Sequence, residues 1–416
     1  MKRILMIAYH FPPLAGSSGI QRTLRFVQHL PKFGWEPIVL TADSCAYERT
    51  SDDLTNEIPK GTVVSRAYAL DTARHLSVKG RYIAAMARPD RWVSWKFDGV
   101  RQGMKLIEKF NPQVIWSTYP IPTAHLIGKA LHRKSGLPWV ADFRDPMAQD
   151  GYPVDQETWR AFKNLEETAL AEASLSVFTT PGAARTYRQR YPAFAERVHV
   201  VENGYDEETF ADLNPCSKET SSSLVEGAIT LLHSGIVYPD ERDPTRLFEA
   251  LAMLDNDRSI NPMDLKVRFR APVHDNLLLS LAKQFNVEAY IEVMPPIPYK
   301  EALIEMLRAN GLLVMQASGC NEQIPAKVYE YLRAGRPILA LTDPAGDTAT
   351  TLMNAGVKDI ANLHSAVEIA VQLNTFVSAI KSGSVCSVNQ VRMREASREG
   401  RTKELVTLLN TLQFTQ

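Results

Sequence analysis

Glu322 and Glu330 are separated by seven residues, and the second stands at the head of the run VYEYLRAGRPILAL at 328–341. Two carboxylates at that spacing can hold ligand hydroxyls, or can be no more than exposed helix acids. Their setting favours the first reading. The pattern predicts a loop carrying Glu322, a helix with Glu330 in its first turns, a stop at Gly335 and Pro337, and an apolar strand over 338–341. A helix that leads into such a strand begins at the carboxyl edge of a parallel sheet, where open α/β folds bind ligands. Its N-terminus favours an anion, while a carboxylate beside it accepts hydrogen bonds from hydroxyl groups. A phosphate and a sugar could therefore sit side by side.

Other residues have chemistry to offer. His10 and His125 lie near strand ends, where a histidine serves a ligand or a structural hydrogen bond. Asp142, Arg144 and Asp145 follow a strand at an expected cleft edge, and read equally as a binding group or a self-contained ion cluster. Asp255 and Asp257 form a D-x-D placed after a helix in a loop, and no bound metal is expected there. The loop at 16–19 lacks the G-x-G-x-x-G spacing of a dinucleotide fingerprint. Residues 74–88, with Lys79, Arg81, Tyr82, Ile83 and Met86, read as a helix that covers the N-terminal domain or rests on anionic lipid.

These residues need elements to position them. A chain of 416 residues is long for one core and fits two domains. Strands at 4–8, 38–41, 114–117, 139–141, 175–179 and 198–201 alternate with helical periodicity. A second series from Ala228 does the same, with strands at 265–269, 290–293, 311–315 and 338–341. This rhythm predicts parallel βαβ units and an α/β, doubly wound sheet in each half. The expected division is an N-terminal domain 1–215, a serine-rich linker 216–227, a C-terminal domain 228–391, and helices at 392–416 available to pack back on the first domain.

Composition excludes other classes. With 45% apolar residues, 23% charged residues and zero formal charge, the chain has no general electrostatic case for nucleic acid. Cys45, Cys216, Cys320 and Cys386 are scattered without a C-x-x-C pair, which argues against a zinc site or disulfide framework and makes a reducing cytoplasm the default. The opening MKRILMIAY is too short for a signal peptide, and no apolar run approaches the length of a membrane span. Membrane contact is then expected to be peripheral only.

The segment 322–341 resembles the E-x7-E region that binds the nucleotide sugar in family 4 glycosyltransferases. Three further segments carry the same resemblance: HFPPLAGSSGIQR at 10–22 is similar to the family's glycine-rich loop, NGYDEETF at 203–210 matches its N-G-x-D-x-x-x-F pattern, and HSGIVYPDERDP at 233–244 resembles the opening of its nucleotide domain. ADFRDPM at 141–147 is similar to a segment of the bacterial polysaccharide-type members. The resemblance implies the GT-B fold, two Rossmann-like domains facing a cleft. It also implies a retaining, metal-independent enzyme that needs no cofactor beyond its nucleotide diphosphate sugar donor.

By position, the resemblance assigns donor binding to Gly16, Ser18, Gly19, Gly235, Arg242, Glu322 and Glu330, with Arg242 gripping the diphosphate. Arg246 is the other basic residue on offer there. It places Glu322, Arg242 and Asp142 at the chemistry, and His10, Arg22, His125, Arg144 and Asp145 on the acceptor side. The partners implied are the donor and a glycan, lipid-linked or small-molecule acceptor in surface polysaccharide assembly, at the cytoplasmic side of a membrane. A nucleotide-sugar epimerase of the same architecture and a non-catalytic nucleotide-sugar binder are the alternatives.

Overall fold

In the first strand Leu5 and Ile7 are buried on one face, and Ile4 and Met6 on the other. A strand that is apolar on both faces belongs inside a parallel sheet with helices on each side. The chain builds such a sheet twice. The structure, a computed structural model, describes residues 1–17, 19–213, 223–384 and 389–413.

The first unit comprises residues 1–203 and 398–416. Its elements are β1 (Lys2–Ile7), α1 (Gly19–His29), β2 (Trp35–Ala42), β3 (Val63–Ala67), α2 (Thr72–His75), α3 (Trp95–Phe110), β4 (Val114–Thr118), α4 (Thr123–Ser135), β5 (Trp139–Arg144), α5 (Gln156–Glu172), β6 (Leu175–Phe178), α6 (Pro181–Arg190) and β7 (Val198–Val200). The second unit, 204–397, holds α7 (Glu207–Ala211), β8 (Ile229–Ser234), α8 (Thr245–Asn256), β9 (Leu265–Arg270), α9 (Asp275–Phe285), β10 (Ile291–Met294), α10 (Tyr299–Arg308), β11 (Gly311–Met315), α11 (Lys327–Ala334), β12 (Ile338–Leu341), α12 (Asp347–Asn354), β13 (Ile360–Ala361), α13 (Ala366–Ser382) and α14 (Gln390–Glu395). The last helix, α15 (Arg398–Leu409), returns to the first unit.

Both sheets are parallel, ordered β3-β2-β1-β4-β5-β6-β7 and β10-β9-β8-β11-β12-β13. In each, the order reverses beside the first strand, between β1 and β4 and between β8 and β11. Those are the switch points at which doubly wound sheets bind ligands. In register, Ile7 lies opposite Leu40 and Ser117. The edge strands β3 and β13 are absent from the sequence-based expectation. β3 is only half buried and carries Ser65 and Arg66, and β13 has two residues, so neither shows a clear apolar period.

The units divide between Asn203 and Gly204, ahead of the stretch 216–227 anticipated as linker, part of which lies outside the described residues. The reason is local. Asp206 caps α7, accepting from the Glu208 amide at 3.2 Å, and Phe210 is buried edge-on to Tyr205. Arg333 of α11 lies over the Phe210 ring and pairs with Glu207 at 2.6 Å, tying this segment to the second unit. The C-terminal helices also split. α14 stays with the second unit, while α15 buries Leu405 and Leu409 with Leu24 and Val27 of α1.

Residues 74–88 do not form the single helix expected. Only α2 and a short 3-10 turn at 84–87 are helical, and Lys79 and Gly80 adopt positive φ. A reversal at Gly80, with Val78 bridged to Arg81, interrupts the periodicity. Val78, Tyr82, Ile83 and Met86 are exposed on it. No helix among the described residues is long and apolar enough to cross a membrane.

Candidate functional site

In the second unit, the carboxyl end of β8 meets the N-terminus of α11. The Ser234 amide donates to the Tyr331 hydroxyl at 2.9 Å, so the buried Tyr331 docks the helix on the strand end. Gly235 follows with φ +111°, a conformation side chains rarely adopt, and its amide donates to the Arg270 carbonyl at 2.8 Å. Arg242 projects from the ensuing loop. Its Nη1 donates to the Ile236 carbonyl at 2.7 Å, and its guanidinium lies over the Tyr238 ring. The neighbouring Asp243 accepts from the Thr245 amide at the start of α8. Arg242 has no carboxylate partner among the described residues. Arg246 pairs with Glu249 along the helix, away from this role.

Glu330 is half buried in the first turn of α11 and accepts from the Tyr299 hydroxyl at 2.7 Å. Glu322 is exposed on the loop before that helix. The loop is braced on both sides of it: Gln316 donates to the carbonyls of Cys320 and Gln323 at 2.6 and 2.9 Å, and Asn321 donates to Asp343 at 2.7 Å. Such bracing holds the loop, and with it the backbone of Glu322, in one place.

Lys327, the first residue of α11, was not singled out in the sequence. Its Nζ lies 3.2 Å from His233 Nε2 and 3.1 Å from where a Cβ on Gly235 would be. The available signal was its position three residues before Glu330, which puts both on one helix face. Two cations and an acid are thus brought together at one strand end: Arg242 and Glu330 both act on the charge of Lys327, which lies beside Gly235 and against His233.

In the first unit the expected residues separate into two groups. Asp142 is fully buried, and Arg22 grips it with two hydrogen bonds at 3.0 and 2.8 Å, while Thr118 adds a third at 2.8 Å. Arg22 also donates to the carbonyls of Val201 and Glu202. A carboxylate closed in this way has the geometry of a tie rather than of a reacting group, because both oxygens are engaged and no solvent reaches them. His125 is also sealed in, bonded to Ser117 at 2.8 Å and packed against Trp139 and Phe143, which does not suit contact with an acceptor.

The other group surrounds the start of α1. His10 Nδ1 is 3.2 Å from the Ser17 hydroxyl, and Arg144 donates to the Tyr119 carbonyl at 3.3 Å. A Cβ at Gly19 would lie 2.4 Å from His10 and 2.9 Å from Arg144, so glycine is required for the helix to begin this close to both. Arg144 itself has φ +63°, beside a register shift in β5, and this turns its side chain toward α1. Asp145 is exposed and 3.4 Å from the Thr179 hydroxyl. Gly16 has φ +80° with open space about it, and Ser18 lies outside the described residues. Asp255 of the D-x-D accepts from the Tyr290 hydroxyl. Among the described residues no group of three His, Cys, Asp or Glu is gathered as a metal site would require.

Burial holds the imidazoles of His10 and His125 down to about 4, with Arg144 adding to the effect at His10. In an unfolded chain histidine titrates near 6.5. As the pH falls through that window the unfolded chain takes up protons the folded one refuses, so stability is lost between about 6.5 and 4. Urea unfolding should show a smaller loss over that window for His125→Asn than for the wild type, by at most about 1.4 kcal/mol per pH unit. Equal losses in the two proteins would refute this account.

Comparison with known proteins agrees with this architecture. Residues 18–204 match the family model described as a glycosyl transferase 4-like domain. A curated relative, the D-inositol 3-phosphate glycosyltransferase of Geodermatophilus obscurus, is 27% identical over 274 residues, spanning 64% of this chain and 56% of its own length. Among solved structures, a glycosyltransferase from Rickettsia africae is similar with a TM-score of 0.65 at 12% identity, covering 99% of this chain and 98% of its own. Anabaena HepE in complex with UDP-glucose gives 0.60 at 14% identity, covering 99% and 100%. A UDP-N-acetylglucosamine 2-epimerase described as putative, from Listeria monocytogenes, gives 0.58 at 11% identity, covering 99% and 96%, so the fold is shared by more than one reaction class. Two doubly wound parallel sheets and these structural likenesses agree: the chain has the GT-B fold, and its residues 18–204 carry a glycosyl transferase 4-like domain.

Proposed function

We propose that this protein transfers a sugar, with retention at the anomeric carbon, from a nucleotide diphosphate sugar to a hydroxyl of a glycan, lipid-linked or small-molecule acceptor, without a metal. The observation that carries this reading is Arg242. Its guanidinium stands at the switch point of the second sheet without a carboxylate partner among the described residues, beside Gly235 and the N-terminus of α11. Such a cation suits an anionic leaving group. The complexes of HepE with UDP-glucose, and with UDP and glucose, support a donor of this chemical class.

In this mechanism the bond from the anomeric carbon to the phosphate oxygen breaks while the acceptor oxygen bonds that carbon on the same face. The acceptor proton passes to the departing phosphate, so no side-chain base is needed. Arg242, the loop amides and the helix N-terminus stabilise the charge that develops on the diphosphate. Glu330 would hold the ribose hydroxyls, and Glu322 the hydroxyls of the transferred sugar. In the first unit, His10, Gly19, Arg144 and Asp145 form the acceptor side, with Arg22 and Asp142 holding α1 and β5 in place. Exposed Val78, Tyr82 and Ile83, near Lys79 and Arg81, are available for peripheral contact with the cytoplasmic face of a membrane.

A thermal-shift screen against UDP, GDP, ADP and their sugar conjugates tests the reading. A ligand at about 100 times its Kd should stabilise the protein by about 2.7 kcal/mol, and no shift with any of them would overturn the proposal. NMR of the shifting conjugate without acceptor then separates the reaction classes, because an epimerase alters the sugar unaided and a transferase does not.

A further inference from the structure

Lys327 has an unusual seat. His233 Nδ1 lies 3.0 Å from the Leu313 carbonyl, which can only accept, so that nitrogen carries the ring proton. Nε2 is therefore left with its lone pair, and it accepts from Lys327 Nζ at 3.2 Å. Burial keeps His233 well below the ordinary histidine range, so it offers a lone pair and no charge.

The groups facing Lys327 come from three elements. His233 lies on β8, Arg242 approaches from the loop after it, and Glu330 stands one turn along α11. Lys327 has no ion pair among the described residues. Two cations therefore share this strand end without a directly bonded acid, and the Gly235 backbone leaves the space beside Nζ clear of a side chain. An arrangement of this kind is stable only where one amine gives up its proton or an anion arrives. Burial, then Arg242, pushes the Lys327 amine down to about 7, with Glu330 opposing.

We propose that Lys327 is the second cation of the donor diphosphate site, supplied by the helix instead of the loop, and that it acquires its proton as the diphosphate binds. This rests on the nucleotide-sugar reading given above. Before binding, the amine is held on the neutral His233; the phosphate oxygens then favour its ammonium form, and a proton is drawn from solvent. Affinity should accordingly fall as the pH rises above about 7, because more of the free protein must first take up that proton.

Calorimetric titration of the protein with UDP, GDP and ADP separately, at about pH 8, in two buffers of different ionisation enthalpy, measures this directly. At that pH the terminal phosphate, with a second ionisation near 6, is already fully charged. The wild type should take up between about 0.5 and 1 proton per nucleotide bound. Lys327→Arg, permanently charged, should bind with little or no proton uptake, and Lys327→Met should bind about tenfold or more weakly while keeping the wild-type circular dichroism. Wild-type binding without proton uptake, or uptake undiminished in Lys327→Arg, overturns this inference and leaves the donor reading standing. Failure of all three nucleotides to bind overturns both.

Discussion

Replacing Arg242 by alanine should lower sugar transfer about 10²- to 10³-fold, as seen when a single pre-oriented donor is taken from an enzyme site that stabilises developing charge. The guanidinium is already oriented, fixed to the Ile236 carbonyl and stacked on Tyr238, so little reorganisation is needed when the leaving diphosphate gains charge. Because that charge grows toward the transition state, kcat should fall as well as the affinity for donor, and kcat/KM should record the full loss. Arg242→Lys keeps the charge but loses the fork that meets two phosphate oxygens at once, and should recover only part of the activity. Steady-state kinetics with the donor identified by thermal shift provide the measurement. Transfer by Arg242→Ala within about threefold of wild type would remove Arg242 from the mechanism.

The second large effect is on stability. Arg22→Met leaves the Asp142 carboxylate buried without its cation, and breaking such a pair on one side costs about 3–5 kcal/mol. For a unit of this size, at about 2–4 °C per kcal/mol, its melting temperature should drop by roughly 6 to 20 °C. The pair joins α1 to β5, and Arg22 also reaches the carbonyls after β7, so one guanidinium ties three parts of the first unit together. Removing both charges in Arg22→Met with Asp142→Leu should restore part of the loss, since no ion is then stranded. Calorimetric melting of the three variants decides the matter. If Arg22→Met melted with the wild type, the tie would be of no structural consequence.

That assignment also shows where reading residues in order falls short. Asp142 and Arg144 are two residues apart, just past one strand, and invite a single role. In the fold they face different neighbours. Asp142 turns inward to Arg22 and Thr118, whereas Arg144, after the register shift, turns toward Gly19 and His10. His125 was similarly ambiguous beside its strand end, until Trp139 and Phe143 were seen to enclose it.

The doubly wound architecture was legible because it depends on short-range patterns. Buried parallel strands need runs such as ILMI and GLLVM, and the helices between them need apolar residues at a period set by the helix itself, all within about 15 residues. The stop at Gly335, with φ +66°, and the strand that follows were likewise written in adjacent residues. The helix that carries Glu330 was legible for the same reason. What only the tertiary structure decided was the partner of each charge. Arg22 meets Asp142 across 120 residues and Lys327 meets His233 across 94, and no local period records such meetings. Whether a cation is neutralised, stranded or left open to a ligand depends on those distant neighbours, because electrostatic energy is set by separation and burial in space and not by order along the chain.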